Sequence, residues 1–217
     1  MTTVSELDSK RISSITLKQI SMRCILGGIR ERTLAVELVF DFTEQATRAQ
    51  ILNTILDAMD TEQQKRYDTF MEETSIPDQH HHDITEVRAT IHSLVLPAKI
   101  KSDLLSVYNI LVEAEARVHG CSVEEAHFHE VGNASGIRNA LAICTGMYVL
   151  APEVVKATSV QIGKGTIQCA HGLMDIPAPA TKAIINTGIP VYKERLEGER
   201  CTPTSAALIK YFVQEFI

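Results

Sequence analysis

Three side chains that could bind a metal or move a proton crowd into four positions: His127, His129 and Glu130. Histidines at positions i and i+2 point to the same side only where the backbone is extended, because successive side chains of a strand face opposite ways. In an extended segment His127 and His129 would form a two-imidazole pincer, Phe128 would face an apolar side, and Glu130 would supply a third ligand only if Gly132 turned the chain. The same residues are equally compatible with an ordinary polar junction between a helix and a strand.

A second histidine cluster consists of the consecutive residues His80, His81 and His82. It immediately precedes Asp83, a good N-cap residue for the apolar-periodic segment that follows, so the three histidines are predicted to lie just outside a helix. Neutral imidazole suits nickel, zinc, copper and cobalt alike, and a loose cluster is typical of a segment that collects or transfers a metal. The alternative is a solvated polar loop.

Cys169 and His171 repeat the i, i+2 spacing at the predicted end of a strand. A thiolate beside an imidazole is a second candidate metal-binding pair. A buried cysteine is more often a small apolar residue, however, and a nucleophilic Cys-His pair would need an orienting carboxylate, for which Asp175 is the candidate.

Two segments could bind a phosphate. Lys164 lies between two glycines, an arrangement that could present an ammonium group and free amides to an anion but is also typical of a turn. Thr202, Thr204 and Ser205 begin the last predicted helix, where amides and hydroxyls could bind an anion, although helix capping alone explains these residue types.

Charge and composition exclude several classes of function. The net charge is −6 with no basic run interleaved with aromatics, so nucleic acid is not an expected partner. The first residues carry neither the basic patch nor the apolar run of a signal peptide, and the longest apolar segment, residues 140–152, is too short to span a bilayer. The five cysteines are widely spaced and contain no Cys-x-x-Cys pair. These features predict a reduced, cytoplasmic protein without a membrane segment.

Hydrophobic periodicity predicts the elements that would position these residues. Alternating runs predict strands over residues 15–20 and 34–40 round a glycine turn, and a hairpin over 158–169 whose turn is 163–165. Predicted helices cover residues 43–60, 60–74, 84–95, 98–119, 122–125, 137–150, a short helix that ends at Gly188, and a last helix that starts after Thr202.

These elements predict an α+β (mixed α/β) fold with two small groups of strands and a central set of helices. We expect a single domain over residues 1–217, because no flexible linker is long enough to require a boundary. A subdivision into residues 1–78, with a hairpin and helices, and residues 79–217, with the motifs, is the alternative.

Five motifs in order resemble one known family. They are AEARVHG at residues 114–120, HFHEVG at 127–132, CAHG at 169–172, PAPAT at 177–181 and TPT at 202–204. As a set, with the histidine-rich junction before Asp83, they resemble the nickel-insertion proteins of nickel-pincer cofactor synthesis, the LarC family. The resemblance covers residue 15 to the C-terminus and is strongest after residue 79.

The resemblance implies a nickel-binding protein that handles Ni(II), or another divalent metal, for insertion into a pyridinium bis-thiocarboxylate mononucleotide, in a reaction that consumes CTP. Such chemistry needs bound metal, an acceptor for the ring proton and a grip on the nucleotide phosphate. The residues implied for these roles are His80, His81, His82, His127, His129, Cys169 and His171 for metal, Glu130 for the proton, and Lys164, Thr202, Thr204 and Ser205 for the phosphate.

The sequence also departs from the family pattern. The glycine-, serine- and aspartate-rich opening segment of the family is absent, Ser135 and Asn139 occupy positions where the family carries aspartates, and the chain ends before the C-terminal domain to which CTP use is attributed. We therefore expect metal delivery, or a CTP-dependent nickel chelatase that acts with a partner chain. The alternatives are a catalytically degenerate binding module and, with least support, an independent zinc hydrolase, for which no His-Glu-x-x-His motif exists.

Overall fold

The computed structural model describes residues 36–76, 81, 83–128, 134–169 and 172–217. Its elements, numbered in chain order, are β1 (Glu37–Phe40), α1 (Arg48–Asp57), α2 (Thr61–Glu73), α3 (Ile84–Ser93), α4 (Ala98–His119), α5 (Ala134–Leu150), β2 (Val154–Ala157), β3 (Gly163–Lys164), β4 (Thr166–Cys169), β5 (Gly172–Asp175), α6 (Pro179–Ile185), β6 (Gly198–Glu199), α7 (Pro203–Phe212) and β7 (Glu215–Phe216).

Helix α4 lies at the centre of the helical layer. It packs against α3, α5, α6 and α7, and α5 in turn packs against α1 and α2. The apolar residues of α4 recur at helical spacing, and Ile100, Leu104 and Leu111 are fully buried. The helix ends where predicted, at Gly120, whose φ of 67° is the left-handed conformation of a C-terminal cap.

Three strands form a parallel sheet beside these helices. Its strand order is β1-β2-β7, so β2 lies between the other two strands. Leu38 and Phe40 point into the core. On the opposite face Lys156 of β2 forms ion pairs with Glu37 of β1 at 3.5 Å and Glu215 of β7 at 3.3 Å. Since α-helices and small strand groups both contribute, the predicted α+β class is confirmed.

The predicted hairpin over residues 158–169 is wrong. Thr166–Cys169 pairs instead with the strand that follows it, Gly172–Asp175, and Gly163–Lys164 pairs antiparallel with Gly198–Glu199. Val160 forms only an isolated parallel bridge with Val191. The Gly163-Lys164-Gly165 segment looked like a turn because two glycines flank it, but those glycines serve a close strand approach and a bend between β3 and β4.

The helix ends follow the capping chemistry of the sequence, with two corrections. Asp83 and Thr202 cap α3 and α7 as predicted. Helix α1, predicted from residue 43, starts at Arg48, because Thr47 rather than Thr43 accepts the capping hydrogen bond. Residues 122–125 form a single turn and not a helix.

Part of the predicted organisation falls on residues outside the described ranges. The strand predicted over residues 15–20 lies outside the described residues, whereas the strand predicted over 34–40 corresponds to β1. β1 and α1 contact β2 and α5 across the predicted subdivision at residue 78, and that subdivision stays a prediction. In the described ranges, every helix is too short or too polar to cross a membrane.

We expect Gly163→Ala to destabilise the protein by about 3 kcal/mol. Gly163 has a φ of 80°, and a Cβ there would lie 1.9 Å from the carbonyl oxygen of Gly198 on the paired strand. Left-handed backbone costs a non-glycine residue about 1–2 kcal/mol, and the clash adds to that cost. Gly120→Ala is the matched control, because its φ is 67° but nothing lies within 4 Å of the added Cβ. Urea denaturation of both variants measures the difference, and equal costs would contradict the close approach of β3 to β6.

Candidate functional site

The segment that carries His127 is anchored by its neighbours. Ala126 is 1% exposed and Phe128 2% exposed, whereas His127 between them is exposed. The ring of Phe128 packs edge-on against Tyr108 of α4, with centroids 5.9 Å apart and an interplanar angle of 83°. The predicted arrangement, with Phe128 on an apolar side and His127 opposite, is therefore confirmed.

A hydrogen-bonded turn fixes the approach to this segment. The carboxylate Oε2 of Glu125 accepts from the amide of Ser122 at 3.1 Å and from its hydroxyl at 2.9 Å. These bonds hold the pKa of the Glu125 carboxyl below its usual value. The amide of Ala126 donates back to the carbonyl oxygen of Ser122 at 3.1 Å. His127 therefore follows a closed turn that limits the directions its side chain can take.

Tyr108 connects this segment to the start of α1. Burial raises the pKa of the Tyr108 hydroxyl, and the positive charge of Arg48 opposes that rise. The guanidinium of Arg48, the first residue of α1, therefore acts electrostatically on the ring that holds Phe128. Tyr108 thus contacts Phe128 and also lies within range of the charge of Arg48.

The starts of α1 and α7 lie side by side. Ala46 forms a parallel bridge with Cys201, and the amide of Ala46 donates to the carbonyl oxygen of Arg200 at 2.7 Å. The next residue of each chain segment, Thr47 or Thr202, is the N-cap of its helix. A helix N-terminus carries roughly half a positive charge, so two of them at one place favour an anion.

The capping hydroxyls are engaged within their own helices. Thr47 Oγ1 accepts from the amide of Gln50 at 3.2 Å, and Thr202 Oγ1 accepts from the amide of Ser205 at 3.3 Å. Thr204 and Ser205 are buried. The residues predicted to bind phosphate at this helix thus make the contacts of a helix cap. Any anion there would be bound chiefly by backbone amides and nearby cations.

This helix pair lies at the carboxyl ends of the parallel strands. The amide of Phe42, two residues after β1, donates to Oγ1 of Thr158, which follows β2, at 2.8 Å. The amide of Gln161 donates to the carbonyl oxygen of Phe42 at 3.0 Å. Ligands of open parallel sheets bind at this edge, because helix N-termini and loops converge there.

Lys164 is exposed and forms an ion pair with Glu197, with Nζ and Oε1 3.0 Å apart. Its strand pairs with Gly198, and the chain then runs on to Thr202. Four residues span at most about 14 Å, so the lysine and the start of α7 lie on neighbouring parts of one surface. Their joint action on a phosphate stays a prediction.

His81 is fully buried, whereas one of the two interpretations of the sequence placed it in a solvated loop. Its Nε2 and the hydroxyl of Thr90 on α3 are 2.7 Å apart. A hydrogen bond of 2.9 Å from Arg88 to Asn109 also joins α3 to α4.

The remaining predicted metal ligands are only partly described. Cys169 ends β4, where its backbone pairs with Gly172, while Asp175 pairs with Thr166 at the other end of the hairpin. Three register steps separate the two ends by about 10 Å, which argues against Asp175 as part of a Cys-His catalytic group. His80, His82, His129, Glu130 and His171 lie outside the described residues.

The described residues supply only part of a nickel site. An exposed imidazole such as that of His127 is a suitable ligand for Ni(II), which would be cargo here. Among the residues that the structure describes, however, no group of three histidine, cysteine or acidic side chains converges. A complete site therefore requires predicted ligands from outside the described ranges.

Sequence reasoning missed Thr47 and Arg48. The pattern Thr47-x-x-Gln50 is a capping signature, in which a hydroxyl residue is followed three positions later by glutamine or glutamate, and it marks the helix start. Nothing in the local sequence indicates that this start lies beside Cys201, because the contact joins residues far apart in the chain.

Fold and site together define an α+β protein in which two paired helix N-termini lie at one end of a small parallel sheet, and in which an exposed histidine follows a turn that is packed on α4. The family model described as nickel insertion protein matches residues 16–217, and the chain belongs to this family.

Individual relatives agree with the family match. The chain is 38% identical over 136 residues to the pyridinium-3,5-bisthiocarboxylic acid mononucleotide nickel insertion protein of Desulfitobacterium hafniense, a match that covers 63% of this chain and 34% of the relative. Proteins of the same name from Staphylococcus saprophyticus and Staphylococcus epidermidis are 35% and 36% identical, over 60% and 63% of this chain and 33% and 34% of their own. The matches thus span about one third of the length of these relatives. No solved structure matches the chain significantly.

We expect Phe128→Ala to cost about 3–5 kcal/mol of the free energy of unfolding, since it removes a buried ring from the contact with Tyr108. His127→Ala should change that free energy by less than about 0.5 kcal/mol, because the imidazole is exposed. Urea denaturation of both variants measures the contrast. A large cost for His127→Ala would mean that this histidine packs and is not presented to solvent.

Proposed function

We propose that this part of the family binds nickel and presents it to a pyridinium mononucleotide. The observation that carries the proposal is the exposed His127 between two buried neighbours, beside a ring on which the charge of Arg48 acts. His127 would be a nickel ligand together with His129, and His80 to His82 and the pair Cys169 and His171 would hold or transfer the metal. Other divalent ions that accept imidazole, such as zinc and cobalt, would compete.

The phosphate of the mononucleotide would bind where α1 and α7 begin. Two helix N-termini favour an anion there, and Arg48, Lys164 and Arg200 would add cationic charge. Thr202, Thr204 and Ser205 would act through the helix start that they build. The pyridinium ring would then extend from this anchor toward the His127 segment.

Glu130 would accept the ring proton that carbon metallation releases, since a carboxylate beside the metal ligands can act as a general base. CTP use and the complete insertion reaction would involve a partner chain or further domain, because the relatives are about three times as long as their match to this chain. The cytoplasm fits the free thiols of Cys121, Cys144 and Cys201.

We expect His127→Ala to weaken Ni(II) binding by at least about tenfold, because the metal would lose one imidazole ligand. His92→Ala is the matched control, since His92 is an exposed histidine on α3. Isothermal titration at about pH 7.5, where imidazoles are neutral, measures both affinities. Zinc and cobalt titrated in parallel test metal preference. Unchanged nickel affinity in His127→Ala would exclude His127 as a ligand.

We expect Arg48→Gln to weaken binding of a pyridinium mononucleotide by about tenfold and to leave binding of the corresponding nucleoside unchanged, because the side chain would contribute one charge-assisted bond to the phosphate. Arg66→Gln, an exposed arginine on α2, is the control. If Arg48→Gln weakened nucleoside and mononucleotide equally, its role would be structural. Nickel titration of the same variant keeps the two halves of the proposal separate.

A further inference from the structure

A small open groove lies between α4, α6 and α7, away from the candidate site. Its floor is aliphatic and consists of Ile110 and Ala114 of α4 with Ala183 and Ile184 of α6. Ala114 and Ile184 are buried, whereas Ile110 and Ala183 are half-buried and can contact a side chain from outside. The groove therefore offers an apolar contact surface between two helices.

Its rim is cationic. Arg117 of α4 and Lys210 of α7 are exposed at the groove, against one acidic residue, Glu113. Neither cation is in an ion pair within the described part of the chain. Since the whole chain carries a net charge of −6, this rim has the opposite sign to the average charge of the molecule. An acidic ligand would be attracted to this rim, although the average charge of the molecule would repel it.

The groove and the candidate site use different faces of α4. Each residue of a helix turns by about 100°, so Ile110 lies about 160° round the helix from Tyr108. The stripe formed by Ile110, Ala114 and Arg117 therefore faces away from the ring that holds Phe128. A ligand in the groove would leave His127 accessible.

We infer that this groove docks an acidic amphipathic helix of a partner polypeptide, with an aliphatic anchor against Ile110 and Ala183 and carboxylates beside Arg117 and Lys210. The aliphatic floor favours a peptide over a small anion, because an anion gains nothing from apolar surface. A helix laid in an apolar groove is a common recognition mode, with anchors at i, i+3, i+4 and i+7. The interaction is independent of the nickel chemistry.

The test uses three labelled peptides of about 14 residues, long enough to form helix when bound. One carries leucine anchors with glutamates, one has lysines in place of the glutamates, and one has alanines in place of the leucines. Fluorescence anisotropy with the full chain at low ionic strength should give binding of the first peptide at least roughly tenfold tighter than either other peptide.

Charge reversal on the rim supplies the decisive variants. Arg117→Glu and Lys210→Glu alter exposed residues, so both variants should fold, and each should weaken the acidic peptide by at least roughly tenfold. Lys182→Glu is the matched control, because Lys182 is an exposed lysine of α6 outside the groove, and it should bind as the unmodified chain does. Equal binding of the acidic and lysine peptides, no binding below about 1 mM, or an equal loss in Lys182→Glu would overturn the inference. So would full displacement of the acidic peptide by millimolar inorganic phosphate, which would indicate a small-anion site. Nickel titration on the same samples should be unchanged.

Discussion

The burial of α4 is the constraint on which the rest of the molecule depends. This helix contacts α3, α5, α6 and α7, so its sequence has to satisfy several neighbours at once. The side chains of Leu104, Tyr108 and Leu111 are fully buried in the core and have no access to water. A helix that is apolar on more than one face can be stable only inside a layer of other helices. The elements round α4 are thus arranged by the need to cover it.

The same helix also organises the chemistry. Tyr108 gives Phe128 a ring to pack on, and that contact turns His127 to the solvent. Such a histidine needs no special backbone conformation, because its buried neighbours determine its direction. On another face of α4, Asp103 accepts hydrogen bonds from Lys99 of the same helix and from the hydroxyl of Tyr211, and the second bond joins α4 to α7. The hydrogen bond to Asp103 raises the pKa of the Lys99 ammonium, and burial raises that of the Tyr211 hydroxyl.

At the starts of α1 and α7, the positive electrostatic potential comes from the backbone. The bridge between Ala46 and Cys201 places two helix starts together, so their partial charges add without any side chain having to be ordered. Burial raises the pKa of the Cys201 thiol to about 12, which keeps it neutral near pH 7. Because Cys201 is also fully buried, it has neither the thiolate nor the solvent access of a reactive cysteine.

The sequence by itself determined what depends on neighbouring residues. Capping residues such as Asp83, Gly120 and Thr202 mark helix ends correctly because they bond to amides and carbonyls within one turn, and the alternation round Phe128 predicts its burial. The motif set also identifies the family. Only the tertiary structure decided that β4 pairs with β5, that His81 is buried against Thr90, and that α1 begins beside α7. Each of these features depends on contacts between distant parts of the chain or on competition between alternative partners. A local sequence pattern determines neither of these two factors.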